Sequence, residues 1–169
     1  MLEDFGRKKH NYLYFILLGI FVLVVFLIQT SFDFLPKFFG ILPTPLLALV
    51  VTIGFFNSEN VGFTVGLFSG LLMDLISDKM QGFNTILLLL IGLAASLLCE
   101  YLINRRMYPC LVVSLILCFL YYAIYWLFFE FNQGIYYLFR VSVLQSIYTW
   151  LFIIPFYFIF KTLSKKLIK

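Results

Sequence analysis

The sequence predicts an all-α integral membrane protein with six transmembrane helices and both termini in the cytoplasm. Three observations carry this: the composition, a series of uncharged apolar runs, and an uneven spread of basic residues. Of 169 residues, 63% are hydrophobic and 12% are charged, against roughly 45–50% and about 25% in soluble domains. Mean hydropathy is +1.04. A water-soluble globular fold is thereby excluded. Six spans of about 20 residues would use roughly 120 positions, so residues 1–169 form a single transmembrane domain with short loops and no separate catalytic domain.

The runs are Tyr12 to Thr30, Leu42 to Phe56, Val61 to Ile76, Thr85 to Tyr101, Cys110 to Phe129 and Val141 to Phe160. Each reads as a helix, because in lipid every backbone polar group must be paired within the segment or in a closed barrel. Unbroken apolar runs exclude the alternation of a barrel. The first run stays as a span, since Gln29-Thr30-Ser31 is no small-x-small cleavage site. At the second, Pro45 suits the first helical turn and Thr44 suits a cap. The second and third runs have 15 and 16 residues, about 22–24 Å of helix against a core of about 30 Å. They read as thin spans or as a re-entrant hairpin. In the fourth, Gly92 with Ser96 and Ala95 with Cys99 have close-packing spacing. In the sixth, Pro155 lacks a donor and predicts a kink.

Charge fixes the orientation. With six crossings the inside carries Arg7, Lys8, Lys9, Arg105, Arg106, Lys161, Lys165, Lys166 and Lys169, and the outside only Lys37, Lys79 and Arg140. Fusing the two short runs into one crossing would invert the positive-inside rule. Residues 1–11 and 161–169 become basic cytoplasmic tails. Tyr12, Tyr14, Tyr101 and Tyr108 fall near cytoplasmic ends, and Tyr121, Tyr122, Tyr125 and Trp126 toward the outer end of the fifth run, where amphipathic rings suit headgroup level. The net charge of +4 then serves retention and contact with the lipid bilayer, and nucleic acid is not an expected partner.

The most specific local pattern is Gly62, Gly66, Gly70 and Asp74, each four residues apart and so on one helical face. Such a face lets a neighbouring backbone approach closely. It packs a helix of this chain or docks a helix of a partner. Asp74, about 18 Å along the helix from Gly62, needs a bonding partner because a carboxylate in the membrane is costly. It either binds a cation or substrate, or caps the next turn or bonds a loop near Ser77, Asp78 and Lys79. Ser142, Gln145, Ser146 and Thr149 follow i, i+3, i+4, i+7 spacing, a polar stripe that faces protein or a water-filled cavity. Glu100 reads as an interfacial ion-pair partner of Arg105.

Catalytic equipment is missing from this pattern. His10 is the sole histidine and belongs to a basic stretch. Cys99, Cys110 and Cys118 lack metal-type spacing. No nucleophile is set beside a base and no phosphate-binding loop is present. The expectation is a non-enzyme with no metal and no cofactor.

From Pro45 to Phe83 the chain shows a proline-led apolar helix, a short polar break, Gly62-Phe63, Gly66-Leu67, Gly70-Leu71-Leu72-Met73-Asp74-Leu75 and then Gly82-Phe83-Asn84. This stretch resembles the MreD family of rod shape-determining membrane proteins, with similar length, loops and lysine-rich end. It departs in one place, with Leu46 where many members carry an acid. The resemblance implies a non-enzymatic scaffold of the bacterial elongation machinery in the cytoplasmic membrane. Its implied partners are MreC, the glycosyltransferase RodA, a class B penicillin-binding transpeptidase and, directly or indirectly, MreB filaments. It also implies a fold similar to the substrate-binding subunits of energy-coupling-factor transporters. The rival reading is therefore a vitamin transporter's substrate-binding subunit, with Asp74, the Gln145 stripe, Glu130 and Asp78 around an outward pocket.

Overall fold

The computed structural model describes residues 2–31, 42–101, 107–134 and 142–167. Among these the chain is helical and contains no strand. The elements are α1 (Leu2–Thr30), α2 (Pro45–Phe56), α3 (Glu59–Asp74), α4 (Phe83–Tyr101), α5 (Met107–Phe129), a 3-10 turn (Phe131–Gln133), α6 (Leu144–Leu151) and α7 (Ile153–Leu167). Three stretches are long and apolar enough to cross a membrane: Phe83–Glu100, Tyr108–Phe129 and Leu144–Thr162. Tyr14–Thr30 and Pro45–Phe56 are shorter apolar helices. Residues 2–11, read from sequence as a tail, are helical and continuous with the rest of α1.

Helix α2 is the axis of the fold. Pro45 opens it at a position where a missing N–H costs nothing. It closes at Asn57, whose backbone N–H and side-chain Nδ2 both donate to the Ile53 carbonyl, at 3.1 and 2.9 Å. Every residue from Pro45 to Phe55 is buried, with α1, α3, α4, α5, α6 and α7 all packed against it. Such a helix needs no polar face, because no part of it meets water. The outer helices instead turn apolar side chains outward, among them Ile16, Leu17, Ile20 and Leu27 on α1 and Val112, Ile116, Leu120 and Phe128 on α5. On a soluble protein this would be an unusually large apolar surface; on a membrane protein it is the lipid-facing side.

Aromatic rings join the layers. Phe21 of α1 meets Phe156 and Phe160 of α7 edge-on at 6.0 and 5.7 Å. Phe56 of α2 packs on Tyr157 of α7 at 5.2 Å. Trp150 Nε1 of α6 donates to the Leu111 carbonyl of α5 at 2.9 Å.

One sequence expectation is met here and another changes. The sixth run is two helices, broken at Phe152, because Pro155 has no N–H to return to the Leu151 carbonyl. Tyr121, Tyr122 and Trp126 lie in the second half of α5, but they are turned inward and are 3%, 5% and 8% exposed. Sequence alone could not separate a ring facing headgroups from one facing another helix. The expected partner of Glu100, Arg105, lies outside the described residues.

Candidate functional site

The glycine face is occupied by α4. A Cβ on Gly62 would meet Ser96 Oγ at 2.1 Å and the Gly92 carbonyl oxygen at 2.6 Å; on Gly66, the Leu88 carbonyl oxygen at 2.5 Å; on Gly70, Thr85 Cα at 2.3 Å. The contact is reciprocal, for a Cβ on Gly92 would lie 2.5 Å from the Gly62 carbonyl oxygen. Backbone therefore lies directly on backbone along three turns. Ala95, the small residue one helical step from Gly92, takes the contact with Gly54 of α2. Cys99 Sγ donates to the Phe55 carbonyl at 3.0 Å.

Asp74 completes the same helix pair. One carboxylate oxygen accepts the Asn84 N–H at 3.1 Å, and the other accepts the Thr85 N–H at 3.0 Å and the Thr85 hydroxyl at 2.5 Å. These are first-turn amides of α4, which have no partner within their own helix and carry the positive end of its dipole. Gly82, at φ +87°, lets the loop reverse so that α4 starts opposite Asp74. The carboxylate bonds the next helix, while the Ser77 hydroxyl holds the loop by accepting the Lys79 N–H at 3.3 Å.

The polar stripe of α6 faces the protein. Ser142, Ser146 and Thr149 are 4%, 2% and 0% exposed, and Ser146 donates back to the Ser142 carbonyl at 2.6 Å. Thr149 Oγ1 accepts the Thr44 N–H at 3.2 Å and bonds the Tyr122 hydroxyl at 2.7 Å, while Thr44 Oγ1 bonds the same Tyr122 hydroxyl. The Thr44 side chain thus does not cap α2, as sequence suggested, but joins α2 to α5 and α6. Gln145 Nε2 donates to the Leu42 carbonyl at 3.0 Å.

Sequence reasoning passed over Gln29, Asn84 and the inward role of the tyrosines. Gln29 Oε1 accepts the Leu46 N–H at 3.0 Å and its Nε2 donates to Met73 Sδ at 3.1 Å. Asn84 Oδ1 accepts the Tyr121 hydroxyl at 2.9 Å. A lone amide near a helix end carries little signal until the facing helix is known. Gln29 and Asn84, both close to run boundaries, were legible only as punctuation.

These groups ring a cavity of about 480 Å³ beside the start of α2, lined also by Tyr125, Ser142, Gln145 and Glu130. At its rim Lys79 Nζ lies 3.6 Å from Glu130 Oε1 and over the rings of Tyr125 and Phe129, at 4.5 and 5.0 Å. Burial alone would lower the lysine pKa, but the Tyr125 hydroxyl and the Glu130 carboxylate outweigh it and hold the ammonium above its ordinary range. Among the described residues, no group of three or more His, Cys, Asp or Glu could hold a metal ion.

A buried central helix, a lipid-facing apolar exterior and polar side chains gathered between helix ends define a helical membrane protein. The family model described as rod shape-determining protein MreD matches residues 9–167, nearly the whole chain, and the chain belongs to that family of rod shape-determining membrane proteins. Comparison with curated proteins and with solved structures gives no match.

Proposed function

We propose that the chain is a non-enzymatic scaffold in the bacterial cytoplasmic membrane, crossing it six times with both termini inside. It would bind MreC and help position lateral peptidoglycan synthesis by RodA and a class B penicillin-binding transpeptidase, with MreB filaments linked directly or through MreC. The family membership is the observation that carries this reading. The geometry supports it in one respect: Asp74, Thr149 and the Gly62–Gly66–Gly70 face are all engaged in holding helices of this chain together. Partner contacts would then fall to the exposed apolar sides of α1 and α5 and to the basic ends.

Gentle detergent extraction of the tagged chain, with mass spectrometry of what stays bound, tests it. Recovery of MreC with RodA or the transpeptidase is expected. Recovery of paired ATPases with a coupling membrane subunit would instead make the chain a transporter's substrate-binding subunit, the reading that the cavity beside α2 favours.

A further inference from the structure

Helix α2 has 12 residues, about 18 Å of rise, and it begins deep among its neighbours. Just before its first turn, Leu42 and Thr44 line the 480 Å³ cavity, which is bounded otherwise by the ends of α1, α3, α4, α5 and α6. That volume lies within the range of small-molecule sites, about 300–1,000 Å³. Scaffolding alone does not call for such a space.

The lining restricts what fits. Among the described residues its polar groups are carboxamides and hydroxyls, with a single carboxylate, Glu130, paired with Lys79 at the rim. Among the described lining residues a charged guest would find no unpaired opposite charge to replace its lost hydration. One wall is aromatic, from Tyr121, Tyr122 and Tyr125. Two donors are poorly used. Gln29 Nε2 is bonded to a thioether sulfur, a weak acceptor. Ser142 is 4% exposed and lines the cavity, and its hydroxyl makes no hydrogen bond among the described residues.

We propose that this cavity binds an uncharged, ring-bearing molecule that presents carbonyl or hydroxyl oxygens to Gln29 and Ser142 and its ring to the tyrosine wall. The guest's oxygen replaces Met73 sulfur as the acceptor for Gln29. A sugar-like guest reaches this site either free or as the neutral headgroup of a glycolipid.

Native mass spectrometry of the full chain released from detergent reads any guest carried from the membrane. Thermal-shift titration then uses two matched probe pairs, glucose against glucuronate and uracil against orotate. The expected result is a neutral adduct or a saturable shift with glucose or uracil, the carboxylate analogue binding at least about tenfold more weakly. Ser142→Ala should weaken binding about tenfold through one lost hydrogen bond, with the unliganded melting temperature unchanged. Ser142→Leu, which removes the donor and crowds that wall, should weaken binding further than Ser142→Ala; if it does not fold, Ser142→Ala still decides. A glycolipid mass assigns the guest to the bilayer, and a small neutral mass to solution. Absence of both adduct and shift, equal binding of the charged analogues, a phospholipid as the sole adduct, or full binding by Ser142→Ala would each overturn the proposal. Because the isolated chain is measured, failure here leaves the partner reading standing, and failure of partner capture leaves this one standing.

Discussion

Replacing Gly66 by alanine adds one methyl group where α3 and α4 touch. That Cβ would lie 2.5 Å from the Leu88 carbonyl oxygen, 2.9 Å from Leu89 Cα and 3.0 Å from the Leu88 carbonyl carbon. The first distance is about 0.9 Å inside the 3.4 Å at which ordinary contact begins. All three atoms are backbone, so no side chain can swing away and the two helices must separate. Overpacking of a tight contact costs about 1–3 kcal/mol. The opposing gain from removing a mid-helix glycine is about 0.5–1 kcal/mol, so the clash wins. Gly19 isolates that gain, because a Cβ there meets nothing within 4 Å. Gly19→Ala should therefore be neutral or stabilising by up to about 1 kcal/mol, while Gly66→Ala is destabilised by a net figure on the order of 1–2 kcal/mol. The assay is reversible unfolding of the two variants and the parent in one detergent mixture, followed by ellipticity. If Gly66→Ala proved as stable as Gly19→Ala, the close approach of α3 and α4 would be refuted.

Asp74→Ala should lose about 1–2 kcal/mol through loss of the α4 cap, and Asp74→Asn should lose less, since an amide oxygen still accepts from Thr85 while its NH₂ faces the Asn84 N–H; unfolding in detergent ranks the three. Thr149→Val leaves the Thr44 N–H without an acceptor and should cost about 1–3 kcal/mol, read in the same titration, whereas Tyr122→Phe should cost about 1 kcal/mol. Pro155→Ala restores the N–H that can reach the Leu151 carbonyl, so spin-label distances between Leu144 and Ile159 should shift toward those of one straight helix. Unchanged distances would mean that packing, not the proline, breaks the helix. Lys79→Ala removes a half-exposed ion pair, and stability should change by less than about 1 kcal/mol.

Much of the helical layout was legible because uncharged runs mark helices directly. The ends at Thr30, Phe56, Tyr101 and Phe129 coincide with the ends of the apolar runs. The arrangement of those helices was far less legible. In a membrane the side facing lipid is as apolar as the side facing protein, so nothing in Pro45–Phe56 announces that α2 is enclosed by all the other α-helices described. Glycine spacing was a better guide than hydropathy, since a missing side chain matters only where something approaches. It narrowed the choice to a close helix contact but not to α4 as the occupant. Asp74 was readable as an acid needing partners at the end of its helix. The identity of those partners depended on the Gly82 turn. The cavity was the least visible feature, because Gln29, Asn84 and Ser142 come from segments more than 50 residues apart in sequence and converge only after folding.

The enclosure of α2 also constrains how the protein is made. This helix is made before α3 to α7, yet part of its cover is α7, the latest of the helices described above. Until then a segment too short to bridge the hydrocarbon core on its own waits against an incomplete wall of α1, α3, α4, α5 and α6. Chains interrupted before Ile153 would leave Phe56 and its neighbours without their last covering layer, and cellular quality control would meet them as unfinished. Enclosure of α2 is thus complete only once α7 has been made, even though the helices insert one after another.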